Sequence, residues 1–377
     1  MRPSSRWAPC LRSTRLWISG VACGVLALGG IGVIFSAPAA APPFHISPFP
    51  LYGGNTYVVN TTQDLTGVGG CLSGVGLCSF RQAVNQYNLD QPVAIFDQDQ
   101  ITFSEPLCVV NQLELCIGDV YSIATYGNVV FDNPYGVSVT ITGNGQGVTN
   151  INGGGAGGSD LQVDGGYGVG AVTLSKLTIS QGYSTACGGG IFNDGGTLTV
   201  NDSQIENSLA TTNGGGICNL NGTVNLNSSG VLNNSLFEQG DGGGIYNSGG
   251  LLQINGSIIA SNGDTFEPED GGGIYNAAVP GTSAWLVGTT VDSNLAMIDG
   301  GGIYNGGVAV LYSLGGLAAS TVEFNTAGTL GGGVYNACNA IFPDGGAGVT
   351  SNTPDNVYQQ PCSILPLPGF PLGRLPF

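Results

Sequence analysis

Positive charge is what this chain has least of. Only 7 of its 377 residues are Lys or Arg and one is His, against 24 Asp and Glu. Four of the seven, Arg2, Arg6, Arg12 and Arg15, precede an apolar stretch from Leu16 to Phe35, which leaves Arg81, Lys176 and Arg374 for everything else. So acidic a chain is repelled by nucleic acid, by anionic membranes and by polyuronates unless a cation bridges them, and no nucleic-acid partner is expected. His45 is the single His and no C-x-x-C pair occurs, which argues against zinc. Charged residues are only 8% of the sequence while 42% is hydrophobic, too apolar a balance for a disordered chain. Gly is abundant, at 67 residues, but follows no Gly-X-Y period, which excludes collagen.

The basic start, the apolar stretch and the segment SAPAAAPP, with small residues at Ala37, Ala39 and Ala41, predict an export signal over residues 1–41. The apolar run is about 20 residues long, enough to serve instead as an uncleaved N-terminal anchor, the one expected route to a membrane. Beyond the signal lie eight Cys, an even number that suggests disulfides in an exported chain. The pairs close in sequence, Cys71–Cys78, Cys108–Cys116 and Cys338–Cys362, are the natural guess, and spacing alone does not fix the pairing.

What the chain does have is a repeat. DGGGIYN occurs unchanged at Asp241–Asn247, Asp270–Asn276 and Asp299–Asn305, inside a longer series of GGGIFN at 188, GGGICN at 214 and GGGVYN at 331. Intervals of 26 to 31 residues mark a stacked-repeat architecture. The pieces between, such as GGLLQI and NGSIIASN, are strand-length and alternate apolar with polar residues, too short for helix pairs. Three strands per turn predict an all-β fold, a right-handed parallel β-helix over residues 101–355 with about nine coils at about 4.8 Å per layer. In a strand, residues two apart share a face. Ile191, Ile217, Ile245, Ile274, Ile303 and Val334 should therefore stack inside. With them should come an inward amide ladder of Asn193, Asn219, Asn247, Asn276, Asn305 and Asn336. A second ladder is expected at Asn234, Asn262, Asn294 and Asn325, with Asn207 one place early in the first repeat. The N-x-[ST] tripeptides at Asn60, Asn201, Asn221, Asn227, Asn233 and Asn255 are read as products of a Gly/Asn/Ser-rich composition.

Ahead of the repeats, Ser79 and Gln82 form a capping box, and Phe80, Ala83, Val84 and Tyr87 fall on one face of a short helix. This helix, within residues 42–100, should cover the open first coil. The Pro-rich stretch 356–377, ending SILPLPGFPLGRLPF, should cover the last.

CSFRQAVNQYN, from Cys78 to Asn88, resembles the CSLREA domain, departing from it at Phe80 and Gln82 where the family has Leu and Glu. The GGGIYN and S-x-I-x-x-N repeats resemble bacterial cell-surface β-helix repeats akin to those of polymorphic outer membrane proteins, which are similar to the pectin-lyase-like superfamily. Together the resemblances cover about residues 54 to 355. They imply a bacterial protein, secreted or displayed at the cell surface, with an adhesive or structural role toward a glycan or a protein. The alternative is a carbohydrate-active enzyme, a polysaccharide lyase or glycoside hydrolase. Against it, the adjacent Asp-Asp, Gly-His-Gly and Arg-x-Lys signatures are missing, and only Lys176 and Arg81 are available as body cations.

Two rows are candidate sites. Asp241, Asp270 and Asp299 should stack about 4.8 Å apart. Carboxylates that close must protonate, splay or hold a cation, so the row is a candidate calcium site, with Glu238, Asp264, Glu267 and Glu269 nearby in sequence. The alternative is a solvated acidic corner. Tyr246, Tyr275, Tyr304 and Tyr335 should point outward as an aromatic strip able to stack on sugars or a partner, extended by Trp285 in a longer loop. The alternative is lateral packing that shields the strands.

Overall fold

The computed structural model describes residues 54–361, apart from 68–69, 73–75, 91–97, 105–108, 111–115, 118, 124–126, 156, 167–169, 264–269, 313–318 and 338–347. The expected signal, His45 and the tail from residue 362 lie outside the described residues. Three nine-stranded sheets carry the fold: one from Thr56–Val59 to Val308–Tyr312, a second from Asp119–Ser122 to Gly348–Thr350, a third from Val129–Phe131 to Val357–Gln359. Neighbours within each sheet are parallel and come from successive turns of the chain, which is a β-solenoid. About seven turns run from Ser138 to Asn336, fewer than the nine expected. The shortfall lies at the ends. The stretch 98–131 carries an antiparallel hairpin, Val109–Val110 with Cys116–Ile117, and the strands after 347 add only part of a turn.

The interior follows the sequence alternation. Ile191, Ile217, Ile245, Ile274, Ile303 and Val334 pair in register and are fully buried. Each such aliphatic side chain contributes roughly 1.5–3 kcal/mol by leaving water. The Asn two residues on is buried as well, and each amide donates Nδ2–H to the Oδ1 of the next coil. Asn193 reaches Asn219 at 2.7 Å, Asn219 reaches Asn247 at 2.8 Å, and Asn247 reaches Asn276 at 2.9 Å. The run continues through Asn305 to Asn336. It has a first rung: the coil before Asn193 holds Val163 at that place, and Asn193 Oδ1 is buried without a partner.

The second ladder is also present, from Asn234 through Asn262, Asn294 and Asn325 to Asn352, with amide contacts of 2.9–3.0 Å. Asn207 is not a rung. Ser208 takes the ladder position, its N–H donating to Asn234 Oδ1, and Asn207 takes the left-handed corner conformation at φ 53°. At another corner Ser203 and Ser229 donate their N–H groups to the hydroxyls of Ser229 and Ser257. This ladder, and not composition alone, explains the N-x-S tripeptides at Asn201, Asn227 and Asn255. In each, Asn ends a strand pointing outward, the middle residue turns the corner with positive φ, and Ser points in.

The predicted helix is Phe80–Asn88, with both halves of the capping box formed by Ser79 and Gln82. Phe80, Ala83, Val84 and Tyr87 are buried. Phe80 lies 5.9 Å from Phe103 and 6.5 Å from Phe131, and Phe103 lies 4.6 Å from Tyr121, ring to ring. These rings come from the three sheets of the first turn, so the helix sits on an aromatic plug at the N-terminal end of the solenoid. Arg81 is buried there, paired with Asp64 at 2.8 and 3.3 Å and donating to the carbonyls of Asn128, Ile123 and Gly127. Cys71 and Cys78 are bridged as expected. A second bridge, Cys187–Cys218, joins successive coils. Cys108, Cys338 and Cys362, on which the other expected pairs depend, lie outside the described residues.

Candidate functional site: the aspartate and tyrosine columns

Each heptapeptide begins at a corner and runs into a strand of the third sheet. Gly271 adopts φ +68°, and a Cβ on Gly272 would come 2.2 Å from the carbonyl oxygen of Leu295. The corner thus needs Gly for a left-handed turn and for close backbone approach. The strand then reads Ile inward, Tyr outward, Asn inward.

Asp241, Asp270 and Asp299 stack as expected, in a parallel column that continues to Leu330. The carboxylates of Asp270 and Asp299 bond within the fold itself. Asp270 Oδ1 accepts the N–H of Asp299 at 3.0 Å, and Asp299 Oδ1 accepts the N–H of Leu330 at 3.0 Å. Asn213, one coil earlier, does the same for the N–H of Asp241 at 2.9 Å. A neutral amide and a carboxylate therefore perform one task, bonding a corner to the next. Among the described residues no group of three or more His, Cys, Asp or Glu is placed to hold a metal ion. Glu238 is exposed, while Asp264, Glu267 and Glu269 lie outside the described residues. Burial raises the Asp299 carboxyl above its ordinary range, and the nearby Asp355 adds to the rise.

The tyrosines form a column of stacked rings rather than an open strip. Tyr246, Tyr275, Tyr304, Tyr335 and Tyr358 follow one another with centroids 5.3, 4.7, 4.9 and 5.3 Å apart and planes within 23° of parallel. Stacking hides their faces: Tyr246, Tyr275 and Tyr304 are half-buried and Tyr335 is only 6% exposed. The rings pack laterally on one another from coil to coil. Trp285 does not extend it. It lies on the strand Ser283–Val287 of the first sheet, not in a loop, because Ala284 and Leu286 fill the interior and the residue between must face out.

The Cys187–Cys218 bridge shows how the two columns meet. Cys187 stands in the aspartate column beside Asn213, and Cys218 stands in the tyrosine column between Phe192 and Tyr246. Their Cα atoms are 5.7 Å apart, so the head of one coil faces the ring position of the next. The electrostatics repeat that diagonal. Burial raises the Tyr275 phenol, and Asp241 is the largest charge adding to it. Burial and then Asp270 push Tyr304 up to about 12. Tyr335 rises through burial and then Asp299. The corner is a strip of protonated phenols beside carboxylates, able to donate and accept hydrogen bonds at its edges.

Two acids that the sequence reading passed over are more strongly perturbed. Asp99 points inward and is fully buried, accepting from the N–H of Asn55 at 2.7 Å and the hydroxyl of Tyr57 at 3.1 Å. Burial raises its carboxyl to about 6. Asp160 is 1% exposed, neither carboxylate oxygen has a partner, and burial holds its pKa well above the carboxylate range. It precedes Leu161, where later coils have Gly before Ile. A Cβ on Gly182 would lie 2.8 Å from its Cγ, whereas a Cβ on Gly273 would lie 2.9 Å from the amide of Asn294. At Asp160 the pattern is inverted: the acid sits on the corner and Gly on the ladder. No sequence signal marks this, since one Asp among glycines resembles any turn.

No protein-family model, no curated protein and no solved structure matches the chain.

Proposed function

We propose that this chain is an exported bacterial rod, secreted or held at the cell surface, with a structural or adhesive role. The supporting observation is the solenoid itself: stacked coils tied to one another by three buried polar ladders and by a disulfide between coils. Such bonds last in an oxidising compartment, and the two bridges agree with export. The aspartate and tyrosine columns serve the rod as corner bonds and lateral packing. The helix on the first coil agrees with the resemblance of CSFRQAVNQYN to a CSLREA segment, which in this reading is a cap.

The test is to express the full chain with its N-terminus in a bacterium and treat intact cells with protease. Recovery in the medium, or loss from intact cells on proteolysis, together with Cys187–Cys218 intact on non-reducing peptide mapping, is the expected result. A reduced protein found only in the cytoplasm would overturn the proposal.

A further inference from the structure

The outer face of the first sheet differs from that of the second in its lack of charge. On a chain with a net charge of −17, each outward side chain of this sheet from Gln98 to Val287 is uncharged. The acids that decorate the second sheet, Glu206, Asp292 and Glu323, have no counterpart on it. Its central row, in register coil to coil, is Thr140, Thr173, Thr199, Asn225, Gln253 and Trp285.

A second row beside it is an external amide ladder. Asn227 donates Nδ2–H to Asn201 Oδ1 at 2.9 Å, and Asn255 donates to Asn227 Oδ1 at 3.0 Å. Each amide has two N–H donors and two carbonyl lone pairs. One donor of Asn227 and one lone pair go to its neighbours, so a donor and an acceptor are left over at each coil, about 4.8 Å apart along the rod. The rungs hold one another in place, so little side-chain freedom remains to be lost when a ligand arrives. The threonines are stiff for a different reason, their branched Cβ. Trp285, 37% exposed, follows Gln253 in this row, which runs on to Val310, and an indole suits the C–H face of a sugar.

We propose that this face binds an extended, uncharged polysaccharide laid along the rod axis, with the Asn201–Asn227–Asn255 row and Gln253 as the hydrogen-bonding track and Trp285 as the stacking platform. A track without charge does not select a polyuronate, and the acidic surfaces around it repel one. An uncharged, hydroxyl-rich chain loses nothing by approaching. This site adds a ligand to the rod proposed above and is separate from the tyrosine column.

The oxidised full chain is incubated with cellulose, chitin, a β-1,3-glucan and polygalacturonate, and retention is measured in low salt and in about 1 M salt. Retention on at least one neutral polymer, unchanged by salt, is expected. Gln253→Glu and Trp285→Ala should each lower it by about tenfold, while Tyr246→Ala, on the third sheet, leaves it unchanged. Thermal melts establish that each variant folds; Gln253 is exposed, so its substitution spares the core. No retention on any neutral polymer, retention on polygalacturonate alone, equal loss with Tyr246→Ala, or full retention by both face variants would each overturn the proposal. In vitro retention does not depend on where the chain resides, so failure here leaves the surface role to be decided by the protease experiment.

Discussion

The N-terminal end and the repeated middle of this protein solve one problem in two ways. Both must bury polar groups. In the middle, a buried ladder amide bonds the same amide one coil away, so neutral Asn suffices and charge is unnecessary. At the end there is no preceding coil to answer, and the buried polar group is a one-off: Arg81 against Asp64, with backbone carbonyls completing the guanidinium. Repetition makes satisfaction cheap. Where repetition stops, it has to be built from unlike parts.

The sharpest break of that contrast is at the cap. Asp64→Ala leaves a buried guanidinium without its carboxylate, and a loss of about 3–5 kcal/mol is expected. Proteolysis near residues 60–90 should precede global unfolding, and a variant melting like the parent would refute the account. In the body, Asn247→Leu strands a donor on Asn219 and an acceptor on Asn276, for a loss of about 2–3 kcal/mol in urea melts. Asn193→Val should cost clearly less, because Asn193 Oδ1 already lacks a partner and Val163 occupies that place one coil before. Equal losses would mean the ladder does not act as a chain of bonds.

Asp160 tests the boundary between the two regions. Its folded-state pKa lies above the unfolded value, so the native state binds the proton more tightly. Stability through this group is therefore greatest at low pH and falls as pH rises, and Asp99, with its pKa at about 6, acts in the same direction. Asp160→Asn should raise the melting temperature at pH 8 and flatten, without abolishing, the decline between pH 5 and pH 8. An unchanged slope would exclude Asp160 as a source of it. A smaller gain, about 1 kcal/mol, is expected from Phe324→Asn, since Phe324 holds φ 55° while 59% exposed, and Asn tolerates that conformation. The smallest effect is at the corner. Asp270→Asn keeps the acceptor for Asp299 N–H and should change stability by less than about 0.5 kcal/mol. A calcium-dependent rise in melting temperature of the parent, lost in this variant, would support the metal reading.

The body was legible because its residues repeat in register. Ile and Asn two apart, at a steady interval, could only stack on one inward face, and the first ladder follows from that; the second follows from its own Asn at the same interval. The capping box was legible because its partners are three residues apart. Asp64 was not, because nothing in sequence links it to Arg81 across 17 positions. Asp160 and Asp99 were missed for a related reason: burial is a property of the layer, and a lone acid carries no period to reveal it. The tyrosines were seen to point outward, but alternation specifies direction and not company. That each ring would be covered by the next follows from the spacing of coils, not from the strand. The external row of Asn201, Asn227 and Asn255 was visible as a tripeptide and misread, since only the register shows that its Asn and Ser face opposite ways.

The three unchanged heptapeptides pair residue for residue, Ile245 with Ile274 and Ile274 with Ile303, and the corner aspartates do likewise. At the heptapeptide, each of these layers therefore offers its neighbours the same residues as the next. Excising residues 271–299 would join Asp270 directly to Gly300 and spell the heptapeptide again, closing the molecule one storey lower with every ladder continuous. The number of storeys can thus change by one while the cross-section stays fixed.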